Sequence, residues 1–240
     1  MKSLVLFFSI FICTSGLSSE VGLVILDMQE IYTKRFGYLK YESNQRKFKD
    51  LLKKQIELIE LAKSKGLPIF ITEYYINHTI MEGLIYRKKE HQAEVLPEIL
   101  NVVSDYWNVY YVQKSRDDLF VNSRVKPEER YHPKLWWDIS SYFIDKIDEL
   151  NISKLIIAGA NGGSCVKSTV QGALKNNIEV VVFQEAVIDF NFKEFIYPYY
   201  SKKFRDKSET PFMKKLEYFL VGDEKLHFLN NLSKLELDHL

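Results

Sequence analysis

The chain predicts an α/β fold: a doubly wound, mainly parallel, six-stranded open sheet with helices on both faces, in three Rossmann-like layers. Three observations carry this. Short apolar runs alternate with longer amphipathic stretches along the chain. The short runs are apolar continuously rather than at every second residue, as strands are when both sheet faces are covered. The strand-helix-strand rhythm then repeats, which is the signature of crossover connections.

Taken in order, the strand candidates are Gly22 to Asp27, Leu67 to Thr72, Asn108 to Gln113, Lys154 to Gly159, Ile178 to Phe183 and Glu217 to Val221. Between the first two, Phe48, Leu51, Leu52, Ile56, Ile59 and Ala62 recur at helical spacing, and the stripe stops at Gly66 and Pro68. A second stripe, Ile139, Phe143, Ile144, Ile147 and Leu150, precedes the fourth strand. A third helix is expected in VKSTVQGALKNN, directly after Cys165.

The N-terminus reads differently. Lys2 is followed by the apolar run LVLFFSIFIC and then by Thr14, Ser15 and Gly16. The run is shorter than the roughly 20 apolar residues of a membrane span and has the charged, apolar, small order of a secretory signal peptide. Residues 1–16 are therefore expected to be a signal peptide and 17–240 one domain, exported to the periplasm or secreted. The alternative is an apolar extension that is kept. Phe11 and Ile12 are too large to precede a lipidated Cys13. Cleavage near Gly16 removes one of the two cysteines, so Cys165 cannot pair within the mature chain.

With 33 basic and 32 acidic residues the net charge is +1, which gives no electrostatic footprint for nucleic acid. No repeat or low-complexity stretch suggests a second domain.

In open α/β sheets, sites form beyond the carboxyl ends of strands. Three chemically useful residues stand there: Asp27 after GLVIL, Lys114 after VYYVQ, and Cys165 just past LIIAG. Singly, each has an ordinary reading as a turn cap, a surface charge or a small packing residue. Together they form a workable unit, since a carboxylate can take a thiol proton while an ammonium favours negative charge on both. The helix expected after Cys165 adds an N-terminal dipole that favours the thiolate.

The segments LVILDMQ, QKSRDDLFVNS and AGANGGSCVKSTVQGALKNNIEVVVFQEA, in this order, resemble the isochorismatase-like cysteine hydrolases, which include nicotinamidases, carbamoyl amide hydrolases and ureide-processing enzymes. The resemblance runs from Val21 to about Leu232 and is most specific from Gly159 to Val166. It implies a catalytic triad of Asp27, Lys114 and Cys165, a non-proline cis peptide between Ala160 and Asn161, and an oxyanion hole made by the backbone amides of Asn161 and Cys165. It implies a small amide or ureide as substrate, a thioester intermediate, and assembly into a homo-oligomer.

Departures from the family pattern shape further expectations. Asn161 and Gly162 replace a small residue and a threonine, while Asp118, Leu119 and Phe120 stand where Ser-Ala-Phe is usual. Asp118 is thus expected to put an extra carboxylate near the pocket and to favour a cationic or strongly polar substrate. The nicotinamidase branch holds a metal through an Asp-x-His pair and a further histidine. Here FITEYYINHTI offers Glu73, Tyr74 and Tyr75 at that place, so no metal and no other cofactor is expected. Tyr74, Tyr75, Tyr106, Trp107, Trp136 and Trp137 are candidates for pocket walls or for packing, and the aromatic stretch from Phe190 to Tyr200 for an interface or lid. The altered loop also leaves a second class open, a catalytically weak protein of this fold that acts as a binding or interaction module.

Overall fold

A computed structural model describes residues 20–30, 42–74, 94–125, 141–188, 224–229 and 232–233. The leader at 1–16, the candidate strand Glu217 to Val221 and the aromatic stretch from Phe190 to Tyr200 lie outside them, as do Ile139, Tyr75, Trp136 and Trp137.

Seven strands form one sheet: β1 (Val21–Leu26), β2 (Ile69–Tyr74), β3 (Val109–Lys114), β4 (Ser123–Val125), β5 (Lys154–Ala160), β6 (Glu179–Ile188) and β7 (Leu226–Leu229). Their order across the sheet is β4-β3-β2-β1-β5-β6-β7. Every neighbouring pair is parallel except β3 and β4. Five of the six sequence-read strands are present, and the sixth parallel strand is β7. The antiparallel edge strand β4 escaped prediction because three residues, SRV, carry no periodicity to read.

Successive strand residues face opposite layers. Leu23 and Ile25 of β1 join Ile156, Ala158, Val181 and Phe183 beneath α1 (Glu42–Ser64) and α2 (Pro97–Val103). Val24 and Leu26 join Leu155, Ile157, Val180 and Val182 beneath α3 (Tyr142–Glu149) and α4 (Lys167–Lys175). Each strand therefore needs apolar residues at consecutive positions, which is why the runs do not alternate.

The buried stripe of α1 departs from the sequence reading: Leu52 and Ile56 are only partly buried, while Gln55 and Leu58 join it. Phe48, Leu51, Leu58, Ile59 and Ala62 are buried, but Gln55 is fully buried where Ile56 is only partly so. Gln55 sits at the helical spacing, four after Leu51 and three before Leu58, and its Nε2 donates to the carbonyl of Ala186 at 2.8 Å. The pairing of β5 with β6 shifts register between Ile157 and Gly159, so this amide bonds the backbone of a strand whose ladder is locally irregular.

At the end of β5, Gly159 has φ 116°, and a Cβ there would lie 2.2 Å from the carbonyl oxygen of Leu26. Only glycine allows β5 and β1 to approach so closely just before both strands deliver their loops. Gly159→Ala is expected to destabilise the protein by more than about 3 kcal/mol, measured as a fall in urea midpoint, because backbone strain and a backbone clash add.

Candidate active site

Asp27 leaves β1 in the left-handed region, φ 48°, and is almost completely buried. Thr72, on the adjacent strand β2, holds this turn twice: its Oγ1 accepts from the Asp27 N–H at 3.1 Å and donates to Asp27 Oδ1 at 2.9 Å. Asp27 Oδ2 accepts no well-directed hydrogen bond and instead meets the charge of Lys114 Nζ at 2.8 Å. Gln29 ties the same loop to the end of β2, accepting from the Tyr74 N–H at 2.9 Å and donating to the Tyr74 carbonyl at 3.3 Å.

Lys114 ends β3 with its side chain wholly buried. Its Nζ donates to the carbonyls of Arg116 at 3.1 Å and Asp117 at 3.2 Å, and lies 4.8 Å from the centre of the Tyr74 ring. Burial pulls the ammonium down, but Asp27 and the Cys165 sulfur more than offset it and hold its pKa above the ordinary lysine value. The chain thus maintains a charge in the interior by giving it a carboxylate and two carbonyls.

The third residue arrives from β5. The Ala160–Asn161 peptide is cis, as the family resemblance implied. A π-helical turn over Gly162–Val166 then leads into α4, with the Val166 N–H reaching back to the Asn161 carbonyl at 3.1 Å. Cys165 is buried in this turn and interacts with both Asp27 and Lys114. The structure therefore brings together all three residues that the sequence placed at strand ends, and it puts Asn161 and Cys165 in one turn beside them.

The thiol's state differs from the sequence expectation. Burial, then Asp27, push the Cys165 pKa far above the usual cysteine range, and the opposing pull of Lys114 is smaller. The turn preceding α4 does not yield a resting thiolate, because desolvation and a neighbouring carboxylate outweigh a helix terminus. Alkylation of Cys165 by iodoacetamide is accordingly expected to be slower at pH 7 than that of a free thiol, and still rising with pH where a free thiol has levelled off. Cys165 and Lys114 both bind their protons more tightly in the folded state than in the unfolded one. The stability they contribute is full below the unfolded values and is lost as pH rises through the alkaline range.

Two carboxylates follow Lys114, and the one that meets the sulfur is Asp117 rather than Asp118, the residue expected there. Asp118 turns away from the sulfur: its Oδ1 accepts from the Phe120 N–H at 3.0 Å and occupies space that a Cβ on Gly172 of α4 would need, 2.3 Å away. Burial raises its pKa. Asp117 is the carboxylate at the site. Its Oδ1 accepts from Cys165 Sγ at 3.7 Å and its Oδ2 from Ser164 Oγ at 2.5 Å. Thr169 of α4 fixes the turn, donating to the Asp117 carbonyl and accepting from the Leu119 N–H, both at 3.3 Å.

Thr72, Asp117, Ser164 and Thr169 were not singled out by sequence reasoning. Thr72 offered one signal, a hydroxyl that ends the otherwise apolar run from Leu67. Of the aromatic candidates, Tyr74 lies at the site. Tyr106 and Trp107 lie before β3, at the opposite edge of the sheet, where the Tyr106 hydroxyl donates to the Leu67 carbonyl at 2.8 Å and Trp107 is 83% exposed. Among the described residues, no group of three or more His, Cys, Asp or Glu could hold a metal ion. No helix among the described residues is long and apolar enough to cross a membrane.

Comparison with known proteins agrees with this fold. The family model described as Isochorismatase domain matches residues 21–195. No curated protein sequence matches the chain significantly. Among solved structures, a cysteine hydrolase from Pseudomonas syringae pv. phaseolicola 1448A superposes with a TM-score of 0.60 at 11% identity, over 90% of this chain and 91% of that one. The nicotinamidase SaPncA from Staphylococcus aureus gives 0.58 at 12% identity, over 89% and 99%. N-carbamoylsarcosine amidase from Thermoplasma acidophilum gives 0.50 at 18% identity, over 76% and 93%. At such identities the likeness is one of fold.

Proposed function

This chain belongs to the isochorismatase family, and from that premise we propose that it is an exported, metal-independent cysteine hydrolase that cleaves the C–N bond of a small amide or ureide. The observation that carries the proposal is the buried Asp27–Lys114 pair at 2.8 Å, whose charges act on a thiol at the mouth of α4. A carboxylate and an ammonium buried together are costly to keep for stability alone. Beside a nucleophile they have a use.

The steps follow from the protonation states. The thiol holds its proton at neutral pH, so the proton must pass to Asp27 as sulfur attacks the carbonyl carbon. The carbonyl electron pair moves onto oxygen, where the amides of Asn161 and Cys165 receive it. As the C–N bond breaks, Asp27 returns the proton to the departing nitrogen, leaving a thioester on Cys165. Water then attacks the thioester, with Asp27 as base, and the acid and the free thiol are released. Lys114 stays charged throughout, so that Asp27 gains and loses its proton beside a fixed positive charge.

The supporting experiment is a panel of small amides and ureides followed by ammonia release, with activity unchanged by a chelator. Export rests on the order of residues 1–16 and is checked by N-terminal sequencing of the native protein, with an intact Met1 counting against it. Homo-oligomer formation belongs to the same reading and is checked by sedimentation. The raised thiol also suits the second reading, a binding module with an inert cysteine. That reading gains if the panel yields no ammonia while a panel member protects Cys165 from alkylation.

A further inference from the structure

The hydrolase reading leaves one charged group at the sulfur without a part in the reaction. Asp27 and Lys114 are buried and neutralise each other. Asp117 adds a second carboxylate, exposed to solvent, so it lies on the open side of the thiol rather than beneath it. Among the described residues, the machinery around Cys165 therefore carries one formal negative charge in excess before a substrate binds. A neutral amide that develops an oxyanion here, or an anionic one, meets that excess unrelieved. A substrate with its own positive charge next to the scissile bond cancels it.

The placement of Asp117 is fixed from three sides. Ser164 Oγ holds Oδ2 at 2.5 Å, and Lys114 Nζ and Thr169 Oγ1 hold the backbone carbonyl at 3.2 and 3.3 Å. Among the described residues, Oδ1 meets only the thiol, at a long 3.7 Å. The arrangement leaves acceptor capacity aimed at the volume beside sulfur. The Tyr74 phenol lies within electrostatic range of the same carboxylate and supplies an aromatic neighbour that a cation tolerates. Arg116, the adjacent cation, is exposed, and its contact with the site is through its carbonyl.

We propose that Asp117 is a specificity-determining residue that selects substrates bearing an ammonium or amidinium group one or two bonds from the attacked carbon. This narrows the substrate class of the hydrolase reading and rests on it for turnover, but the selection of charge at Cys165 can be read without turnover. Two probes of similar size and opposite charge suffice, the trimethylammonium-ethyl and sulfonatoethyl methanethiosulfonates. Each transfers its thioalkyl group to sulfur, forming a disulfide and expelling methanesulfinate as the thiol proton passes to buffer. The ratio of their rates reports the local field, because any change in thiolate fraction affects both alike.

The native protein is expected to prefer the cationic reagent. Asp117→Asn, whose amide oxygen can still accept from Ser164, is expected to lower the cation-to-anion ratio about tenfold at low salt, and less at high salt. Glycinamide and propionamide, near-isosteres that differ by one charge, provide the second arm at pH 6.5, with glycinamide cleaved faster and its advantage lost in Asp117→Asn. An unchanged reagent ratio in the variant overturns the proposal whatever the activity, and so does equal cleavage of the two amides. A ratio that falls as expected while neither amide nor any ureide is cleaved sustains the charge selection and counts instead against the hydrolase reading.

Discussion

Replacing Cys165 by alanine is expected to lower amide or ureide turnover by at least about ten-thousandfold while leaving the fold intact. The expectation follows from the sulfur being, among the described residues of the site, the group able to form the covalent intermediate. Thr72 is engaged by Asp27, Ser164 by Asp117, and Lys114 by carbonyls and a carboxylate. Water, positioned by the remaining amides, is left as a poor substitute. The same change should move the denaturation midpoint little, by about 1 kcal/mol, since it removes one atom from a turn whose backbone bonds remain. Steady-state ammonia release and a urea titration on the same preparation check both halves. A large loss of stability with the activity loss would mark Cys165 as a packing residue and remove the nucleophile from the mechanism.

Lys114→Met has the largest expected effect on stability. The methionine fills similar space but leaves the Asp27 carboxylate buried without the lysine's charge, so that it takes up a proton at a cost to stability, and frees the carbonyls of Arg116 and Asp117. Breaking a buried pair in this way typically costs about 3 to 5 kcal/mol. Activity should vanish too, because Asp27 would then keep a proton and could not accept one from sulfur. The double variant Asp27→Asn with Lys114→Met should recover much of the stability and none of the activity. Denaturant unfolding of the three variants checks this. If Lys114→Met costs no more than a surface substitution, the ion pair is not the buried element described above.

Much of the site was legible because its residues sit where the topology exposes strand ends. Asp27, Lys114 and Cys165 each follow a continuous apolar run, and a parallel sheet gathers the carboxyl ends of all its strands on one edge. The neighbouring strand order β3-β2-β1-β5 then sets those three residues side by side. Asp117 and Asp118 show where this reasoning stops. Adjacent acids in SRDDLF are chemically identical in sequence, and the one expected at the pocket is the one that caps the Phe120 N–H against Gly172. The choice depends on α4 crossing the turn, a contact between segments some fifty residues apart.

Gln55 makes the same point in the core. A polar side chain inside an apolar stripe looks like a register error until its partner, the Ala186 carbonyl on β6, is seen 131 positions away. The thiol's proton is a third case. The helix following Cys165 is visible in sequence, but how deeply the sulfur is buried, and that a carboxylate faces it, are properties of the assembled site.

The amino-acid order alone determined the layered α/β class, five of the parallel strands and three of the helices, and the three residues that meet at the sheet edge, because hydrophobic periodicity and chain connectivity are local and repeat along the chain. Tertiary structure decided which carboxylate faces the sulfur, whether that sulfur keeps its proton, and which short edge strand closes the sheet. Those outcomes depend on desolvation and on through-space Coulomb and hydrogen-bond contacts, and neither has a value until distant segments have packed together.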